Sequence, residues 1–215
     1  MEELRSLESQ AGCDGQARFG IRPKRALGIS ITVLRSMAKR VGKDHDLALR
    51  LWRTGIHEAR LLATMIDDLG AVTEEQMEAW AADFDSWDVV DQCCGNLFDR
   101  TAFAWTKARE CSAREEKFVK RSGFSLMAYL AVHDKTASDQ ALATFFPPIE
   151  REAWDERNFV KKAVNWALRQ IGKRNDTLNR LAMQCAMRIQ LQGTRSARWI
   201  AADALRELRA PRPRP

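Results

Sequence analysis

The sequence predicts an all-α chain of HEAT-like helical repeats stacked into a curved α-solenoid. Apolar residues recur with helical spacing nearly throughout, and strand-type alternation is sustained nowhere. Glycine is sparse, at 11 of 215 residues. A motif also returns: Phe118-Val119-Lys120-Arg121-Ser122-Gly123-Phe124 resembles Phe159-Val160-Lys161-Lys162-Ala163-Val164-Asn165, and Trp199-Ile200-Ala201-Ala202-Asp203-Ala204-Leu205 resembles both more loosely, at spacings of 41 and 40 residues. A period of about 40–47 residues made of paired helices marks HEAT-type arrays. One helix pair cannot bury its own apolar stripe, so neighbours stack. A compact helical bundle is the alternative.

Residues 1–20 are poorly patterned and contain Gly12, Gly15 and Gly20. Arg22-Pro23-Lys24 and Gly28-Ile29-Ser30 read as a loop leading into a helix. Helices are then expected over about 31–42, 45–54, 56–68, 73–84, 86–98, 101–111, 113–133, 137–146, 149–155, 157–173, 175–191 and 195–209. Thr73-Glu74-Glu75-Gln76 is a capping box, and Ser86 is an expected N-cap. The Pro-Arg alternation of 211–215 cannot be helical and is expected to be a disordered tail. The expected division is an N-terminal segment 1–20, one repeat domain 21–209 and a tail 210–215.

Composition narrows the function classes. The net charge is +6, unevenly spread: residues 112–215 hold 20 basic and 11 acidic side chains, and residues 1–111 hold 15 and 18. A basic half is a modest argument for a polyanionic partner. The five cysteines contain no CxxC, which points to reduced thiols in a cytoplasmic protein. Cys93-Cys94 reads as helix packing. His45, His57 and His133 lack metal-ligand spacing, so no metal is expected. The charged Met1–Gln10 stretch is unlike a signal peptide, and no apolar run approaches membrane-spanning length.

Two helices carry the candidate chemistry. On the helix near 86–98, Val89, Val90, Cys93, Cys94 and Leu97 are the apolar positions, while Trp87 and Asp91 share another face one turn apart. Asp88 falls in the first turn, where the helix dipole favours an anion, and reads as structural. Asp91 lies beyond that turn; it either pairs with a surface cation or stabilises positive charge developing on a substrate. On the helix near 157–173, Val160, Ala163, Val164, Ala167, Leu168 and Ile171 form the apolar stripe. Lys162, Trp166, Arg169 and Lys173 form a second one. A ring among cations suits nucleic acid; it also suits coverage by aliphatic stems of basic neighbours. Lys120 and Arg121, one repeat before Lys161 and Lys162, are either phosphate contacts or solvated cations.

Ser86-Trp87-Asp88-Val89-Val90-Asp91, Lys120-Arg121 and the segment Phe159 to Arg169 resemble the HEAT-like-repeat DNA alkylation repair family of the AlkD type, as does the segment from Leu27-Gly28-Ile29 to Ala38-Lys39. The likeness covers roughly 20–209 in the same order. It implies a DNA glycosylase for bases alkylated to a positive charge, such as N3-methyladenine and N7-methylguanine. It implies that Trp87 and Trp166 flank the deoxyribose, that Asp91 supports bond cleavage, and that Arg121 touches the backbone near the lesion. The family acts without burying a flipped base in a pocket. It also uses an aromatic residue, often Tyr, from the first repeat, whereas the single tyrosine here is Tyr129, far along the chain. Some relatives lack the Trp and Asp and bind DNA without excision.

The expectation is therefore a monomeric enzyme acting on duplex DNA that contains alkylated bases, with no cofactor and no membrane. Its catalytic residues are Asp91, Trp87 and Trp166, and its DNA-binding residues are Arg121, Lys120, Lys162, Arg169 and Lys173. The alternative is a noncatalytic scaffold binding damaged or branched DNA, or a protein.

Overall fold

The structure, a computed structural model, describes residues 1–210. The tail expected at 211–215 lies outside the described residues. The chain divides into two compact units, Met1–Thr101 and Ala102–Pro215.

In the first unit, α1 (Glu2–Ser6) and α2 (Gln10–Arg18) occupy the stretch where the sequence shows little pattern. They fold because backbone, not apolar periodicity, holds them. Ser9 Oγ caps α2 by accepting from Gly12 N. A Cβ on Gly12 would come within 1.9 Å of the Gly28 carbonyl oxygen, and Gly28 itself sits at φ +70°, so glycine is required at both positions. The fully buried Glu58 carboxylate completes the join: it accepts from the amides of Leu27, Gly28 and Ile29 at 2.7, 2.8 and 3.3 Å and from Gln16 Nε2 at 2.9 Å.

Then come α3 (Ile31–Val41), α4 (His45–Arg53), α5 (His57–Ile66), α6 (Glu74–Ala82) and α7 (Trp87–Asn96). The core is built from Leu34, Leu62, Ile66, Val89, Val90 and Cys93. Trp52 stacks on Trp80 at 3.9 Å, and its indole N–H donates to Asp83. The expected capping box is half realised. Thr73 Oγ1 accepts from Gln76 N, but the Gln76 side chain donates to Asp67 instead of returning to the cap. The repeat shows in the bonding: Leu27 to Glu58, Trp52 to Asp83 and His57 to Asp88 each span 31 residues. That step is shorter than the one legible in the sequence.

The second unit holds α8 (Ala104–Ser112), α9 (Lys117–His133), α10 (Asp139–Ala143), α11 (Phe146–Arg151), α12 (Asn158–Gly172), α13 (Asp176–Gln190) and α14 (Arg195–Leu208). Here the expected step reappears. Bonds from Arg121 to the Phe159 carbonyl and from Asn165 to Asp203 span 38 residues, and that from Gln192 to the Glu150 carbonyl spans 42. Helix α11 begins at Phe146, ahead of the expected start, because Pro147 and Pro148 fall in its first turn, where the missing N–H costs nothing. Helix α9 is buried along most of its length, including Phe124, Leu126 and Met127. A Cβ on Gly123 would approach Ser112 N to 2.3 Å, so α8 and α9 touch through that glycine. Among the described residues no helix is long and apolar enough to cross a membrane. Cys93, Cys94, Cys111 and Cys185 are buried thiols.

Candidate nucleic-acid interface

In the first unit, α7 presents the predicted pair. Val89, Val90, Cys93 and Cys94 are buried, while Trp87 and Asp91, a turn apart on another face, are both half-buried. The Trp87 indole N–H donates to the Phe19 carbonyl at 3.1 Å, which ties α7 to the end of α2. The Phe19 ring itself is 74% exposed. Sequence reading missed Phe19. Its only signal there is an isolated ring between Gly15 and Gly20. It is an exposed first-repeat aromatic side chain whose backbone anchors Trp87.

The start of α7 is fixed from below. Ser86 occupies the N-cap position, but its hydroxyl donates to Asp88 Oδ1 rather than accepting from an amide. Asp88 Oδ2 meets His57 Nε2 at 2.9 Å, with the His57 side chain fully buried. Burial opposes the imidazolium, yet the hydrogen bond and charge of Asp88, helped by Glu58 and Asp85, raise the His57 pKa above its ordinary value. Burial likewise opposes the Asp88 carboxylate, and the bonds from His57 and Ser86 more than offset it, so the Asp88 pKa is lowered. Asp88 is thus structural, through His57 as well as through the dipole.

In the second unit, Trp166 on α12 is half-buried amid buried Asn165 and Ala167. Its ring lies edge-to-face with Tyr129 on α9, centroids 5.0 Å apart, and Tyr129 lies 5.3 Å from His133. Helical spacing alone does not point to Tyr129, since eight residues beyond Arg121 is about 80° around α9 from it. Lys162 is exposed one turn before Trp166. Arg121 is 6% exposed, and its Nη1 donates to the Phe159 carbonyl at 2.6 Å, so it clamps α9 to α12.

The other predicted cations are taken up by carboxylates. The Lys120 ammonium is buried against Glu152 at 2.7 Å, with Asp155 at 3.9 Å. Arg169 pairs with Asp203 and Glu207, and Lys173 reaches Glu207 at 2.6 Å. The far half of the Lys162–Lys173 stripe therefore meets α14. The partial burial of Glu207 would raise its pKa, but the bonds from Lys173 and Arg169 outweigh this and lower it.

Helix pairs bonded one repeat apart, in each compact unit, define a helical-repeat protein of the HEAT-like kind. The chain belongs to the DNA alkylation repair enzyme family, whose sequence profile matches residues 1–208. A solved structure of similar fold is reported for "a new family of proteins related to the HEAT-like repeat DNA glycosylases with affinity for branched DNA structures". The likeness has a TM-score of 0.78 at 19% identity and covers 87% of this chain and 80% of that one. No curated protein matches the chain.

Proposed function

We propose that the chain is a DNA glycosylase that hydrolyses the N-glycosidic bond of cationic alkylated bases, of the N3-methyladenine and N7-methylguanine type, in duplex DNA. Water adds to C1′ of the sugar, the bond electrons leave with the base and neutralise its charge, and the water's proton passes to solvent. The lesion is already a good leaving group. The protein has to stabilise the positive charge that builds on the sugar, which needs no base pocket. The face of Trp87 favours that cation, and the Asp91 carboxylate a turn away on α7 stabilises it or orients the water; Trp166 is assigned a like role on the family resemblance alone. Phe19 supplies the first-repeat ring. Lys162 contacts phosphates, while Arg121, Lys120, Arg169 and Lys173 serve chiefly as internal ties in this reading.

The observation that supports this best is the half-exposure of Trp87, Asp91 and Trp166 on helices whose adjacent positions are core, in a member of this family. The test is single-turnover excision of N7-methylguanine from a duplex. Asp91→Asn should slow excision by about 10²–10³-fold and leave duplex affinity nearly unchanged; equal rates for variant and parent defeat the assignment.

A second reading is a noncatalytic binder of branched or damaged DNA. The commitment of Lys120, Arg169 and Lys173 to carboxylates, together with the affinity stated for the similar structure, favours it. Release of no base by the parent protein, with salt-sensitive retention of a DNA junction, would decide for it.

A further inference from the structure

Phe118, Phe159 and Trp199 hold one position in three successive repeats, in α9, α12 and α14. The residue after each ring does the packing: Val119, Val160 and Ile200 are 5%, 0% and 0% exposed. The rings are not spent on the core. Phe118 and Phe159 are half-buried and Trp199 is exposed. Phe118 and Phe159 lie side by side, centroids 5.9 Å apart. Each step also carries an ammonium. Lys117 Nζ sits 4.1 Å from the Phe118 ring and 5.7 Å from that of Phe159, and Lys161 Nζ sits 5.4 Å from that of Trp199. A lysine from one repeat therefore lies on a ring of the next.

From these observations we infer that the row is a track for an unpaired, unstacked stretch of nucleic acid. Rings offer faces, and a base presents a face only when it is out of its stack; a closed duplex shows edges and phosphates. Lysines alternating with rings match phosphates alternating with bases. The charge fits a polyanion, since from residue 102 onward there are 22 Lys and Arg against 12 Asp and Glu. Of the acidic groups at this end, Glu116 pairs with Arg114 at 2.5 Å and Glu156 accepts from Ser196 N at 3.0 Å, while Glu115 is exposed. Arg195 and Arg198, beside Trp199 in the chain, are exposed. The occupant is a single strand, as found at a branch or melted region, and the site lies outside the residues assigned to excision.

The experiment is fluorescence anisotropy with a labelled oligothymidylate of about twelve nucleotides, within the usual site sizes for such surfaces, titrated at several salt concentrations. Trp199→Leu should weaken binding by about tenfold, as for loss of one stacking ring. Lys161→Gln should flatten the log affinity–log salt slope by about 0.7, the value for one single-strand phosphate. Melting curves confirm that both variants fold. No binding by the parent, or parental affinity and slope in both folded variants, overturns the inference. Excision of N7-methylguanine from duplex DNA, run on the same proteins, should be retained. Its absence in the parent would count against the glycosylase reading alone, and absence of oligothymidylate binding in a parent that excises the base would count against the track alone.

Discussion

Glu58→Gln is the substitution whose consequence the structure specifies most closely. Glu58 Oε1 accepts from Gly28 N, Ile29 N and Gln16 Nε2, and Oε2 accepts from Leu27 N at 2.7 Å. Glutamine is nearly isosteric but carries one acceptor oxygen. With its carbonyl at the Oε1 place, its NH2 group faces the Leu27 N–H, donor against donor. An orphaned buried donor costs about 1–3 kcal/mol. The three remaining bonds lose their charge assistance, which halves their strength, at about 0.5–1 kcal/mol each. The sum is about 2.5–6 kcal/mol. For a chain of this size the melting temperature should fall by roughly 2–4 °C per kcal/mol. Differential scanning calorimetry with urea denaturation reads it. Because Gln16 lies on α2, whose end anchors Trp87 through Phe19, limited proteolysis should also open first within residues 1–30. A variant within about 0.5 kcal/mol of the parent, the range of an innocuous surface change, would refute the idea that this carboxylate holds the N-terminal helices in place.

Other outcomes follow from the same geometry. The His57–Asp88 pair should give a stability window in pH. The His57 pKa is raised, so its contribution is full below about 6.5, its unfolded value, and is lost as pH climbs through the higher folded value. The Asp88 pKa is lowered, so its contribution is present above about 3.9, its unfolded value, and is lost as pH falls through the folded one. Relative to Asp88→Asn, the parent's advantage in urea denaturation should therefore be largest between those limits, and a flat difference from pH 4 to 8 contradicts the pairing. Lys120→Met removes one of the two cations on the buried Glu152 carboxylate, leaving Arg151 at 2.8 Å, and should cost about 1–3 kcal/mol, with duplex affinity unchanged at a temperature where the variant is folded; a selective loss of affinity would make Lys120 a phosphate contact. Cys93 and Cys185 should resist a thiol reagent in the native state, since burial raises both pKa values, that of Cys185 to about 12. Rapid native labelling at either would contradict that packing.

The all-helical class and the order of helices from Ile31 onward were legible in the sequence because apolar periodicity is local. The separation of Trp87 and Asp91 from the buried Val89–Cys93 face, and of Trp166 from the α12 core stripe, follows from the same periodicity. Helices α1 and α2 were not legible. What holds them is a glycine-to-glycine contact and a carboxylate more than 40 residues away from Gln16. The 31-residue step of the first unit was hidden too, because its marks are different residue pairs at each level, Leu27 with Glu58 and then Trp52 with Asp83.

Helical spacing places a side chain on a face but does not say what that face meets. The sequence by itself thus determined which helices form and which side chains stand off the core. Only the tertiary structure decided which cations are spent: Lys120 on Glu152, and Arg169 and Lys173 on Glu207, with Lys162 left exposed beside Trp166. The reason is that an ion pair depends on distances of a few ångströms between residues about 32 to 38 apart, which only the stacking of repeats sets.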